Sequence, residues 1–348
     1  MTSLFKTIQK QYTQNLPFVV YNKPNSDELI GFFQKNDNLF LVNDFDEKGF
    51  VFAPFNGNEI ILIPENHSEI ITETISFPNS DFETNSTFKT DEQSKLIHQN
   101  LVQAGIDAIN ENLFNKVVLS RKEKIDFPEF DLTHLFQKLL NTYPSAFTYC
   151  WFHPKVGLWL GAFSEQLVNV ENNTFKTMAL AGTQTFSGTE EVIWQQKEKE
   201  EQQFVTDFIL KNIEDNISNI KISSPYTIKA GNLLHIRTDI SGKLNKGSDL
   251  KKLINVLHPT PAVCGFPKME AKKFILENEN YDREYYSGFL GELNRNNTTD
   301  LFVNLRCMQI KNNQVYLYMG GGITKDSIPE KEWLETVNKS STMKRMIF

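Results

Sequence analysis

The chain has 348 residues, 40% of them hydrophobic, and 36 Lys and Arg against 43 Asp and Glu give a formal net charge of -7. This length and apolar content can bury a large core, which excludes a disordered or fibrous chain. With no basic run to offset phosphate repulsion, general nucleic-acid binding is excluded too, and an anionic small molecule would need local positive charge or a metal.

The longest apolar runs, such as those at 38–42 and 59–63, have strand length and fall far short of a bilayer span, so no membrane segment is expected. The opening MTSLFKTIQKQYTQ lacks the continuous apolar stretch of a secretory signal, and a cytoplasmic location is the expectation. Cys150, Cys264 and Cys307 are odd in number and form no CxxC, which suits reduced, buried thiols.

In chain order, the runs PFVVYN, LIGFFQK, NLFLVND, GFVFAPF and EIILIP, broken by Asn, Asp, Gly and Pro, read as antiparallel strands between 17 and 88. Thr90 with Gln93 has the form of a capping box, and the apolar spacing after it predicts a helix near 91–112, followed by a strand at 116–125. A helix is expected near 131–141, then strands at FTYCWFH and LWLGAFS and a further strand with a turn near TMALAGTQTF. A long helix from 190 to 217 would turn Phe204, Val205, Phe208, Ile209 and Ile213 inward. Strands near 226–240, helices at 248–256 and 267–277, and a strand, strand, helix ending complete the reading. Without regular β-α alternation this favours α+β over a doubly wound parallel sheet. No repeat or flexible linker divides the chain, so one domain over 1–348 is expected, with 1–89 its less diagnostic β-rich part and the chemistry in 90–348.

The stretch MGGGITKDSIPEKEWLETVNK at 319–339 sets three glycines before a run of acids. They form neither a Walker loop nor GxGxxG. They make either a tight turn or a bare backbone that an anion can approach, with Ser327 and Glu330 as a capping box for the next helix. Glu332, Glu335 and Lys339 would share one face of that helix, and Glu198 and Glu201 repeat the three-residue spacing in QKEKEEQQ. Solvated charged faces explain both pairs. Facing each other across a cleft, they could instead hold Mg²⁺, which takes one or two carboxylates directly and keeps several waters. HPTPAVCGFPK places His258 before a rigid turn, where a structural role is the ordinary one. Arg306, within an apolar strand, implies a carboxylate partner from protein or ligand.

Taken together, KVVLSR, GAFSEQL, LAGT, KEKEEQ, HPTPAVCGFPK, YDREYYSGFLGEL, VNLRC and GGGITKDSIPEKEWLETVNK stand in the order and approximate spacing of the chorismate-utilising enzymes, which the chain resembles over roughly 91–348. The resemblance implies a four-layer α/β/β/α fold of two large, mostly antiparallel, orthogonally packed sheets, and a monomer. It implies a site for the dicarboxylate chorismate built from Gly182, Thr183, His258, Arg306, Gly320, Gly322 and Lys339. Mg²⁺ would be held directly by Glu201 and Glu335, with Glu198 and Glu332 acting through water.

Within the family, Lys116 matches the base of the water-using members, where ammonia-using anthranilate synthases carry Gln; a lysine takes this role when burial or nearby cations favour its amine form. Ala181 stands where aminodeoxychorismate synthases carry a lysine that forms a covalent adduct. DRE and RC resemble the isochorismate synthase forms, and Glu165 matches the general acid. The implied reaction is conversion of chorismate to isochorismate for menaquinone or siderophore synthesis. The rivals are a salicylate synthase and a catalytically silent chorismate-binding homologue. Phe163-Ser164 and Gln184 to Phe186 depart from the family pattern and bear on contacts at the substrate's edge.

Overall fold

The computed structural model describes residues 3–76, 91–128, 130–230 and 233–347. Two large sheets dominate it. One runs from edge to edge as Gly265–Phe266, Lys116–Asp126, Gln314–Ile323, Cys307–Lys311, Gly157–Phe163, Phe147–His153, Phe18–Asn22, Glu28–Gln34 and Ser68–Thr74. The other runs as Ile217–Ile222, Leu233–Leu244, Thr174–Thr185, Gln166–Glu171, Thr298–Val303, Phe289–Arg295, Gly49–Ala53, Ile61–Pro64 and Phe40–Leu41, with Tyr226–Ala230 also paired to Leu233–Leu244. Among the described residues the pairings are antiparallel, as in the register Gln314 to Asp126 through Ile323 to Val117. This is the expected α+β class.

The strands are apolar on both faces because both faces are covered. In Phe18–Asn22, Val19 and Tyr21 join an aromatic layer between the sheets, while Phe18 and Val20 turn to an outer core with Leu4, Phe5 and Phe136. Opposite, Phe50 and Phe52 enter the same inter-sheet layer, and Val51 and Ala53 pack outward beneath Val205, Phe208 and Ile209 of the helix Gln196–Ile213. Alternation with period two thus fills three layers of core from one set of strands. Each large ring taken from water here contributes roughly 1.5–3 kcal/mol. In the inter-sheet layer Trp159 stacks on Tyr318 and Tyr318 on Tyr286, with centroids 5.4 Å apart in each pair, and this column carries core packing up to the wall of a cavity between the sheets and helices.

Several boundaries differ from expectation. Thr90 lies outside the described residues. The helix Glu92–Asn110 is capped by Asp91, whose carboxylate accepts from Ser94 N–H. The long helix spans only Gln196–Ile213, because Asn216 N–H closes on Ile213 O and the chain re-enters as the strand Ile217–Ile222. Ser327 caps nothing: its hydroxyl accepts from Thr324 N–H, and the last helix, Pro329–Ile347, opens on Pro329, whose fixed φ suits a first helical position. The amphipathic helix Ser3–Thr13 and the strands Ser68–Thr74 and Gln166–Glu171 go beyond the expected elements, and the closing segment holds four strands before its helix.

Candidate active site

The three glycines are not a turn. Gly320 to Gly322 continue the strand Gln314–Ile323, paired with Ser120, Leu119 and Val118, and Gly320 and Gly322 line a cavity of ≈ 190 Å³. A Cβ on Gly322 would meet Glu201 Oε1 at 2.6 Å and Lys116 Cε at 3.0 Å, so the bare backbone is what lets an acid and a lysine close on this strand. On the opposite face the Gly321 position looks toward Glu332 and Glu335, each 3.5 Å from where a Cβ would stand.

Lys116, at the start of the strand Lys116–Asp126, is 2% exposed and lines the cavity. Glu165 follows the strand Gly157–Phe163 and faces the same space. Burial raises its carboxyl to about 7 despite the opposing pull of Lys116, Lys339 and Arg306, which leaves it able to hold a proton near neutrality. A lysine at the start of one strand and a carboxylic acid in the link between two others therefore share one chamber.

Gly182 and Thr183 sit at a bulge where Thr174–Thr185 pairs with Leu233–Leu244. Gly182 has φ 71, and a Cβ there would lie 2.9 Å from Glu198 Cβ, so glycine lets the start of the helix Gln196–Ile213 come down on the strand. Its carbonyl accepts from His235 Nδ1 at 3.0 Å, which leaves Nε2 to accept from Arg306 Nη2 at 3.4 Å. Burial, with Arg306 and Lys339 nearby, lowers His235 to about 3, so the ring is neutral. Arg306 lies not within a strand but just before Cys307–Lys311, at φ 39, with its head in the cavity.

On the acidic side, Glu198, Glu201 and Glu335 line the cavity. Glu198 Oε2 is buried without a hydrogen-bond partner. Glu201 is raised by burial, partly offset by Lys116 and Lys197. Burial pushes Glu335 up, but Lys339, 2.7 Å from its Oε1, and Lys197 hold it below the ordinary value. Glu332 stands behind the lining, bonded to Lys197 at 2.9 Å. Among the described residues no three of His, Cys, Asp and Glu converge as a preformed cation cage. Lys339 also donates to Gly320 O at 3.0 Å.

His258 is the candidate that the fold sets aside. It ends the helix Leu250–Leu257 and packs edge-on against Phe289 at 5.0 Å, while Ala262 and Val263 of the same segment line the cavity. His235, Lys197, Tyr286 and Ser287 also line it, and sequence reasoning alone does not single them out. His235 is invisible until the strand register sets it opposite Thr183, whereas Tyr286 and Ser287 lie in YDREYYSG, a stretch informative in the sequence only as a family marker. Of the departures from the family pattern, Phe163 and Ser164 line the cavity. Gln184 instead donates to Ile193 O, and Phe186 lies under Lys229.

Comparison with known proteins bears on the family and the fold. The isochorismate synthase EntC of Escherichia coli (strain K12) is 32% identical over 242 residues, a stretch that covers 66% of this chain and 61% of EntC. The chain thus spans about three fifths of that relative's length. In structure it is similar to the putative 2,3-dihydroxybenzoate-specific isochorismate synthase DhbC of Bacillus anthracis, with a TM-score of 0.81, 22% identity and 99% of both chains covered. It is equally similar to MenF, the menaquinone-specific isochorismate synthase of Escherichia coli, with a TM-score of 0.81, 20% identity, and 100% of this chain and 92% of MenF covered. With the profile of the family described as chorismate binding enzyme matching residues 58–348, the great majority of the sequence, the chain belongs to the chorismate binding enzymes.

Proposed function

We propose that the protein is an isochorismate synthase, adding water at C2 of chorismate as the C4 hydroxyl leaves. The observation that carries this reading is the pair in one cavity: Lys116, buried, and Glu165, a carboxyl raised to about 7. Lys116 takes a proton from the attacking water, and Glu165 gives its proton to the departing hydroxyl. Lys116 opens one strand and Glu165 sits in the link after another, Gly157–Phe163, and this separate placement suits attack and departure at different ring carbons. Arg306 and Lys339 supply positive charge for the two carboxylates of the substrate. Lys116 and Ala181 speak against the ammonia-using and covalent-adduct chemistries of related enzymes, and the identity to EntC supports the water-using one.

The donor set also fits Mg²⁺. Glu198 Oε2 is an orphaned buried oxygen, and Glu201, Glu335 and Glu332 add hard carboxylate oxygens whose mutual repulsion a dication would relieve. Glu201 and Glu335 would hold the ion directly, with Glu198 and Glu332 acting through water. When bound, the ion would supply positive charge toward a substrate carboxylate. The product would serve menaquinone or siderophore synthesis, and the working form we propose is a cytoplasmic monomer. No helix of the described residues is long and apolar enough to cross a membrane.

The test is incubation with chorismate and Mg²⁺, followed by product identification. Isochorismate should accumulate toward equilibrium with chorismate, and in ¹⁸O-labelled water the label should appear in its C2 hydroxyl. Stoichiometric pyruvate with salicylate would move the assignment to a salicylate synthase. No turnover with retained chorismate binding would leave a silent homologue.

A further inference from the structure

Three lysine side chains line the cavity with the acids, and they are held differently. Lys116 is buried in its strand. Lys339 is fastened twice, to Glu335 and to Gly320 O. Lys197, in the first turn of Gln196–Ile213, reaches across to Glu332 in the first turn of Pro329–Ile347. Its side chain stays 32% exposed, while that of Glu332 is 4% exposed. The bond therefore ties together the starts of the two helices that present the four glutamates, and joins a partly exposed lysine side chain to a buried acid.

A carboxylate as buried as Glu332 is costly to leave uncompensated. A dication arriving among Glu201, Glu335 and Glu332 would meet an ammonium already bonded to Glu332 Oε1, and like charges so close repel strongly where solvent is scarce. Lysine's charge rides on a flexible four-carbon stem and relocates readily. We propose that Lys197 is a displaceable internal counter-ion. It compensates Glu332 while the pocket lacks its dication, swings into solvent when the dication enters, and so lowers metal affinity by the ion pair with Glu332 that must be given up. The inference rests on the Mg²⁺ reading above and adds to it a residue that lowers, rather than supplies, affinity for the ion.

The experiment uses the full chain with Mg²⁺ alone. Reductive methylation followed by peptide mass spectrometry reads the accessibility of Lys197, and calorimetry on the same protein reads Mg²⁺ binding. Saturating Mg²⁺ should speed labelling of Lys197 several-fold while Lys273, already 74% exposed, is unchanged. Lys197→Met should bind Mg²⁺ about tenfold more tightly, the scale on which partners of metal ligands act, and Lys197→Arg, which keeps the pair, should stay near wild type. Mg²⁺ binding with Lys197 labelling unchanged or slowed, or with Lys197→Met binding no tighter, overturns the counter-ion role. If neither wild type nor variant binds Mg²⁺, the cation reading itself falls and takes this inference with it. Should Lys197→Met fail to fold, the labelling of wild type decides alone.

Discussion

Glu165 can deliver a proton only while it holds one, and its carboxyl at about 7 sets the pH range. In the free protein kcat/KM should fall on the alkaline side with a midpoint near 7, and Glu165→Gln should abolish that limb together with most turnover. Lys116→Ala should likewise lose turnover yet bind chorismate. General acid or base contributions are about 10² to 10⁴-fold, so either variant within tenfold of wild type would remove the role assigned to it. The same shift predicts stability. The unfolded carboxyl ionises near 4.5, so between 4.5 and about 7 the unfolded state loses its proton first, and above 7 the buried carboxylate costs the fold at most about 3 kcal/mol, reduced by cavity solvent. Glu165→Gln should therefore raise Tm at pH 8 and leave it nearly unchanged at pH 4.5, as calorimetry at the two values would read. Gly322→Ala tests the close approach of Glu201 and Lys116: a folded protein with activity down at least tenfold is expected, since its Cβ would stand 2.6 Å from Glu201 Oε1. Full activity would mean that the carboxylate position is immaterial.

At the scale of elements, the helices Gln196–Ile213 and Pro329–Ile347 each bring two glutamates to the cavity side by i, i+3 spacing, and that spacing is legible along the chain itself. The sharing of that space by three lysines is not, because they come from three separate elements. We expect EDTA to abolish turnover and Mg²⁺ to restore it. Glu201→Ala and Glu335→Ala should lose most activity, and Glu198→Ala and Glu332→Ala about 10 to 100-fold, as chelated and reloaded assays would show. Metal-independent turnover by Glu335→Ala would sink the cation assignment. Another element depends on one buried ion pair. Arg283 bonds Glu279 at 2.6 Å and the carbonyls of Val118 and Val263 at 2.7 and 3.0 Å, which docks the helix Lys268–Asn278 on the Lys116 strand. Arg283→Met leaves Glu279 buried and unpaired, so a loss of about 3–5 kcal/mol in denaturant unfolding is expected.

At the scale of the whole molecule, the early strands are not an appendage. Phe18–Asn22 pairs with Phe147–His153 in one sheet, and Gly49–Ala53 with Phe289–Arg295 in the other. Their residues Val19, Tyr21, Phe50 and Phe52 belong to the layer that separates the sheets. A chain reduced to 91–348, although it keeps every candidate catalytic and metal residue, should therefore expose two apolar strand edges and aggregate rather than bind chorismate. A soluble, chorismate-binding fragment would show instead that the later strands suffice.

Composition, strand patterning and the ordered motifs by themselves determined the α+β class and the family, and put forward Lys116, Glu165 and the four glutamates as candidates, because residue type and local period are written along the chain. Only the tertiary structure decided that His235 stands beside Gly182 and Arg306, since that contact comes from a bulged register between strands more than 50 positions apart. It likewise turned His258 away to Phe289 and kept Gly320 to Gly322 in a strand. Burial of Glu165, and with it the proton it can hold at neutral pH, is also a tertiary property. Desolvation depends on what the whole fold packs around a carboxyl, and no local stretch of sequence records it.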